Sequence, residues 1–530
     1  MKPAKNDPCP CGSGKIFEKC CQEWYEATKH KPSVKKAAPT ATECNQLVAL
    51  LDAGDYAELE ARTRLLLERY PDSGFAWKVL GATLQMQSKD SLPALQKATE
   101  FLPNDAEAHY NLGITLKELG RLNEAEASYR RALQINPNFA MAHNNLGITL
   151  HDMSRLNEAE ASYRQALRIK LDHVEALNNL GMTLNELGRI DEAELAYRKA
   201  LQFKPDFAEA HYNLGLLLLL SGRLSEGWQE YEYRWEGSLP KQPQPITTLP
   251  QWIGQPTQPG NGILIFGEQG MGDKLQFSRY LQLAADRFAG RVSVIVDHPL
   301  LELFRRSFPD LEVLEATPAD QSAWQWQCPL LSLPLAFNTS LETIPNRIPY
   351  LIPDLAKVAR WKAKIAALDL PASTRKIGVV WKSGTLTRIA HLKGLPLEHL
   401  APLLGRPDCA WFSLQKEPDP DKMRWVSSGK LMDWADEFSN FDETAALMMN
   451  LDLIVSVDTS VVHMAGALGR PTWLLNRHAS DWRWMRDREN SPWYPTMRIF
   501  TQKTTGDWDE VVTRMSTALR ESQARNNSQH

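Results

Sequence analysis

The chain has 530 residues, enough for three or more domains. With 43% hydrophobic and 23% charged residues it has the composition of a soluble globular protein, and a formal charge of −4 gives no reason to expect a nucleic-acid or membrane partner. No apolar run reaches the roughly 20 residues of a spanning helix; the longest, LGLLLLLSG at 214–222, is flanked by polar repeat sequence.

The opening residues, MKPAKNDPCPCGSGK, lack the apolar stretch of a secretory signal, so the cytoplasm is the expected compartment. Four of the seven cysteines crowd together, while Cys44, Cys328 and Cys409 are scattered, unlike a disulfide framework. Cys9, Cys11, Cys20 and Cys21 follow a C-x-C-x8-C-C spacing. Two close thiolate pairs across a short loop can supply the four ligands of a tetrahedral zinc ion, and Gly12 and Gly14 let that loop turn. A closed four-coordinate site leaves no position for catalysis, which points to docking; the alternative is four free thiols in a tail. GSGK within this segment lacks both the full phosphate-loop frame and a preceding strand. Residues 1–24 resemble the zinc-binding motif at the C-terminus of the bacterial SecA translocase. Residues 25–42 are basic, rich in Pro and Ala and without an apolar period, and read as a linker.

From 43 to 237 the sequence repeats itself. Gly113, Gly147, Gly181 and Gly215 mark a period of 34, with Gly81 in a slightly shortened copy and a degenerate copy before it. Each copy reads as two amphipathic helices; Pro137 and Pro205 close the second helix, and Leu171 stands where that proline is missing. The pattern resembles the tetratricopeptide repeat, in about six copies. An all-α solenoid of this kind implies a protein or peptide partner. Asn111, Asn145, Asn179 and Asn213 recur at one position, either as hydrogen-bonding partners within the fold or as contacts for such a peptide. Residues 238–261 break every period, with five prolines between 240 and 256, and mark a boundary.

Buried apolar runs then alternate with helical stretches. GILIF, VSVIV and LEVLEA fall in 262–372; KIGVVW, AWFSLQ, DLIVSV and PTWLL fall in 373–522, before a polar tail at 523–530. The alternation predicts parallel sheets with helical crossovers, as two Rossmann-like halves facing a cleft. The fold class expected for the chain is therefore multidomain: a zinc knuckle, a helical solenoid and a two-part α/β region.

The first α/β turn, GEQGMGDKL at 267–275, poses the functional question. It is not a Walker loop, because Asp273 stands where lysine should be and no Ser or Thr follows Lys274. It is not a dinucleotide fingerprint either, because Leu275 occupies the third glycine's place. The second half supplies context in SVDTSVVHMAGALGRP. Asp458, Thr459 and Ser460 lie at a strand-to-helix turn, where the free N–H groups of a helix start favour an anion such as a diphosphate. Ala465, Gly466, Ala467 and Gly469 permit close packing.

MGDKL followed by SVDTSVVHMAGALGRP resembles the heptosyltransferases of glycosyltransferase family 9, which have the GT-B fold. Region 245–502 is similar, more closely, to the glycosyltransferase-like domain that follows tetratricopeptide repeats in many bacterial proteins, through GEQGMGDKLQFSRY, SLQKE, DETAALMMNLDLIVSVDTSVVHMAGALGRPTWLL and SDWRWMRDRENSPWYP. The pairing of repeats with such a domain also resembles O-GlcNAc transferase in architecture. The resemblance implies a transferase using a nucleotide-sugar, with Asp273 as general base; the structural alternative is an acidic residue stabilising the start of its helix. It implies a lysine that holds the donor phosphates, best matched by Lys393, with Lys382, Arg388 and His391 as alternatives. The Arg-rich stretch usual here in the repeat-linked group is replaced by TLTRIAHLKG. Ser383 and Gly384 would lie near the donor, and Gln415 and Lys416 near the nucleotide. His463 would contact a donor phosphate or ribose, or else be a buried, satisfied histidine. Trp482, Trp484 and Trp493 would stack on a sugar or base, or pack in the core. Inversion at the anomeric carbon needs one base and a departing diphosphate, without a metal. The alternative function is an inactive GT-B scaffold acting as an adaptor.

Overall fold

The computed structural model describes residues 38–236, 247–384, 393–416 and 419–527. Cys9, Cys11, Cys20 and Cys21 lie outside them. The chain divides into two compact units, one up to Thr183 and one from Leu184 onward.

The first unit is a succession of antiparallel helix pairs, running from Ala41–Asp52 through Ala106–Glu118, Leu122–Ile135, Ala140–Asp152 and Leu156–Ile169. Several helix starts are fixed by side chains that satisfy free N–H groups: Thr40 and Glu43 form a capping box, and Asp105 accepts from Ala108 N at 2.9 Å. The glycine period has a packing cause. A Cβ at Gly113 would lie 2.6 Å from the Tyr129 ring, and one at Gly147 would lie 2.6 Å from Tyr163. The paired helices can approach only where that side chain is missing. The recurrent asparagines link one repeat to the next. Asn145 Nδ2 donates to Tyr110 Oη at 3.1 Å, and Asn179 Nδ2 donates to Asn144 Oδ1 at 3.1 Å.

In the second unit, Ile190–Phe203, Ala208–Leu220 and Leu224–Tyr231 continue the helical pattern and end in a 3-10 turn, Glu232–Trp235. Four parallel strands follow: β1 (Ile263–Phe266), β2 (Val292–Ile295), β3 (Glu312–Leu314) and β4 (Trp326–Pro329), in the order β3-β2-β1-β4. A second parallel sheet holds β5 (Arg375–Val380), β6 (Cys409–Ser413), β7 (Met432–Asp433), β8 (Leu453–Val457), β9 (Thr472–Asn476) and β10 (Met497–Thr501), in the order β10-β9-β8-β5-β6-β7. β1, β8 and most of β5 are buried along their length, which is why they read as continuous apolar runs. Chain order reverses between β1 and β4 and between β5 and β8. Such switch points open a crevice beyond the carboxyl ends of the strands.

The last repeat helix shares its core with the α/β region. Trp228 is fully buried, edge-on to Phe277, Trp482 and Trp493, with ring centroids 5.3–6.4 Å away. The described part of the Pro-rich segment also enters this core. Trp252 packs edge-on to Phe288 and Phe337, and its backbone N–H donates to Gln327 O at 2.8 Å.

Candidate active site

Glu268, Lys274 and the glycines of the first turn serve packing. Glu268 is 4% exposed and takes a two-pronged bond from Arg234 of the 3-10 turn that follows the last repeat helix, Nη2 to Oε1 at 2.7 Å and Nε to Oε2 at 3.2 Å. Burial pushes the Glu268 carboxyl up, against the pull of Arg234. Arg234 also bonds Glu232 and Ser332, and Gln269 Nε2 donates to Tyr231 Oη at 2.9 Å. The turn is thereby bolted to the helix that precedes it. Lys274 folds back to Asp297 at 2.5 Å and to Gln269 O at 3.1 Å, away from a phosphate-binding pose. A Cβ at Gly267 would meet the Lys274 chain at 2.8 Å, so this glycine makes room for it.

Asp273 sits in the first turn of helix Met271–Phe277, and that helix meets helix Ser460–Ala467 of the other sheet. Gly272 permits the meeting, because a Cβ there would lie 2.8 Å from the His463 ring and 3.4 Å from Ser460 Cα. The starts of the two helices, where N–H groups lack intrahelical partners, thus come together. Asp273 Oδ2 accepts from Gly270 N at 2.9 Å, closing the turn. Its Oδ1 receives Arg483 Nη2. Arg483 is 8% exposed, lies over the Trp482 ring at 4.3 Å, and donates to Gln276 Oε1 at 2.9 Å and to Asp481 Oδ1 at 2.9 Å. Burial would lower the Arg483 pKa, but Asp273 and Asp481 outweigh it and raise it. For Asp481 burial acts upward, yet Arg483 and Lys393 hold it well below the usual carboxylate range.

At the β5/β8 switch point Lys393 Nζ pairs with Asp458 Oδ2 at 2.6 Å, both side chains being less than one-fifth exposed. Desolvation lowers the Lys393 pKa, and Asp458 with Asp481 reverses this, so it stays charged. Ser383 and Gly384 follow β5, half-buried. Gln415 is buried and its Oε1 accepts from Lys382 N at 3.1 Å, tying the ends of β5 and β6 together. Lys382 Nζ is spent on Asp419 at 2.9 Å, and Arg388 and His391 lie outside the described residues. Thr459 precedes the helix without a side-chain cap bond; its hydroxyl lies 3.2 Å from Ser456 Oγ. Ser460, the first helical residue, is half-buried.

His463 occupies the core. It is 4% exposed, stacks on Trp484 at 5.1 Å and hydrogen-bonds Tyr494 Oη through Nδ1 at 3.1 Å. Burial brings its pKa down to about 3. Trp482, Trp484 and Trp493 are buried as well. Of the expected site residues, Asp273 lies on one of the two helices that meet, Ser460 starts the other with Thr459 before it, and Asp458 holds Lys393. Arg483 and Asp481 join them, although sequence reasoning read DWRW only for its aromatic rings. An Asp-x-Arg beside buried tryptophans was the available signal. Among the described residues, no group of three or more His, Cys, Asp or Glu side chains is placed to hold a metal ion, and no helix is long and apolar enough to cross a membrane.

Comparison with known proteins finds several modules along the chain. Tetratricopeptide repeat models match 106–139 and 128–161, and a TPR repeat model matches 183–222. The SEC-C motif matches 6–23. Protein FlbA of Caulobacter vibrioides is 30% identical over 319 residues, 56% of this chain and 52% of FlbA. The chain thus spans about half the length of this curated relative. Among solved structures, YrrB, described as a TPR protein with an unusual peptide-binding site, is 21% identical with a TM-score of 0.30, covering 36% of this chain and 96% of that one. PilF of Pseudomonas aeruginosa is 20% identical with a TM-score of 0.32, covering 37% and 86%. The model of glycosyltransferase family 9 (heptosyltransferase) matches 439–505, the segment that carries Asp458, Thr459, Ser460 and Arg483, so the chain combines a SEC-C motif and tetratricopeptide repeats with a family 9 glycosyltransferase segment.

Proposed function

We propose that the protein is a glycosyltransferase that moves a sugar from a nucleotide-sugar donor to a hydroxyl group on an acceptor recruited by its repeats. The observation that carries this reading is Asp273 where two helix starts meet, bonded to Arg483, whose charge also bears on Lys393 of the Lys393–Asp458 pair. The family 9 match over 439–505 supports it.

Asp273 is the base. Each of its oxygens takes one N–H donor, from Gly270 or Arg483, and a carboxylate oxygen has a second lone pair for an acceptor hydroxyl. As the acceptor oxygen attacks the anomeric carbon, its proton passes to Asp273. The bond from that carbon to the diphosphate oxygen breaks, the electron pair leaves with the diphosphate, and configuration inverts. Lys393 and the N–H groups at the start of helix Ser460–Ala467 supply the positive field the leaving group needs. Transfer on this reading requires no metal ion. Ser383, Gly384 and Gln415 line the route of the donor at the ends of β5 and β6, and His463 acts beneath it by positioning helix Ser460–Ala467. Cys9, Cys11, Cys20 and Cys21 hold a structural zinc, and the protein works in the cytoplasm.

One observation favours a second reading, an inactive adaptor: both Asp273 oxygens already have partners. Asp273→Asn separates the two. On the transferase reading, turnover with the cognate nucleotide-sugar falls by about 10²–10⁴ while nucleoside diphosphate binding persists. Undiminished transfer sinks Asp273 as base, and absence of any nucleotide binding in folded wild-type protein favours the adaptor.

A further inference from the structure

We propose that a cavity of about 460 Å³ in the second unit binds a phosphate group, either as free phosphate or as a phosphate ester. It lies between the loop after β9, the end of β10 and the C-terminal helix Trp508–Asn527, with its own lining residues distinct from Asp273 and Lys393. Its size falls in the range of small-molecule sites. A smaller cavity of about 130 Å³ shares His478, Ser480 and Arg486 with it and continues to Gly188 and Leu220, giving room for the organic part of an ester.

Gln502 makes the case for a ligand. It lines the cavity and is 3% exposed. Its Oε1 accepts from His478 N at 3.2 Å and from Gly506 N at 3.3 Å. Two N–H donors on that oxygen fix the amide's orientation, so the other end must be Nε2, and Nε2 has no hydrogen-bond partner. A buried donor left unpaired is destabilising, and an oxygen bound in the cavity would satisfy it.

The charge around it is positive. Arg486, Arg488, Lys503 and Arg514 line the cavity with only two carboxylates, Asp487 and Glu489. Glu489 is paired with Arg498, and Glu510 behind the wall pairs with Lys503 and Arg514. Arg486 donates to Gly188 O, and Arg488 donates to Asn490 Oδ1 and weakly to Met485 Sδ; among the described residues neither has a carboxylate within ion-pairing distance. Guanidinium forks with a neutral amide donor suit a tetrahedral oxyanion. The loop is held in an unusual shape, since Met485 and Asp487 have φ of +56° and +54° on either side of Arg486.

The test is calorimetric titration of the full chain with inorganic phosphate and, separately, with glycerol 2-phosphate. Gln502→Glu keeps the acceptor for His478 N and Gly506 N but replaces the free donor with a charge that repels the ligand. Binding should weaken about tenfold or more in Gln502→Glu and in Arg488→Gln. Binding of phosphate alone marks free phosphate as the source, and tighter binding of the ester marks an ester; both support the site. Absence of binding by both probes overturns the proposal, as does binding unaffected by Gln502→Glu. Should Gln502→Glu fail to fold, the half-exposed Arg488→Gln decides the matter alone. None of these failures touches the transferase proposal, which rests on Asp273.

Discussion

Below pH 6.5 the second unit should lose stability because of a single histidine. His463 has an ordinary pKa near 6.5 when the chain is unfolded, and burial between helix Met271–Phe277 and Trp484 brings it down to about 3 in the fold. Between those values the unfolded chain binds one proton more than the folded chain, so stability rises with pH across this window. The contribution is complete above pH 6.5 and is lost as pH falls toward 3. Between pH 7 and pH 5 the loss from this group alone amounts to about 2 kcal/mol. Asp481, held low by Arg483 and Lys393, acts elsewhere, since its contribution is lost only as pH falls below about 4. The assay is urea unfolding at pH 7 and pH 5, read on the transition of the second unit, for wild type and His463→Phe. The variant forfeits the bond to Tyr494 at both pH values but has nothing to protonate, so its stability should fall by about 2 kcal/mol less than that of wild type over the same interval. Equal losses in the two proteins would refute the burial argument and leave His463 accessible to solvent or ligand.

Gly272→Ala drives a methyl group into the His463 ring, which Trp484 and Tyr494 prevent from retreating. It should cost about 1–3 kcal/mol by overpacking and weaken nucleoside diphosphate binding, checked by thermal melting and titration. Glu268→Gln leaves Arg234 with only Glu232 as a carboxylate partner and should destabilise the second unit by about 3 kcal/mol, without altering diphosphate affinity at temperatures where the protein is folded. A strong chelator should release a zinc ion from the full chain and expose four additional reactive thiols, while transfer activity measured without added metal stays constant; metal analysis and thiol titration read the first outcome.

The repeats were legible because their cause is local and recurs. Gly113 and Gly147 each face a tyrosine a fixed distance along the chain, so the same omission of a side chain is written into the sequence every 34 residues. The parallel sheets were legible for a related reason: strands covered on both faces must be apolar throughout, as in ILIF of β1 and LIVSV of β8. The strand-to-helix turn at Asp458–Ser460 showed itself by the abrupt change from apolar run to small and polar residues.

Other relationships depend on residues far apart in sequence. Nothing near Glu268 announces that its partner is Arg234 of the 3-10 turn after the last repeat helix, or that Trp252 of a proline-rich segment fills the α/β core. Asp273 and Arg483 are 210 positions apart, and only the convergence of two helix starts brings them together. The sequence by itself determined the kinds of module present, because helix, strand and turn preferences act over a few residues. Which charged side chains face one crevice, and which are spent on structural pairs, was decided by tertiary packing, because burial and a low local dielectric govern those pairings and neither exists until the elements assemble.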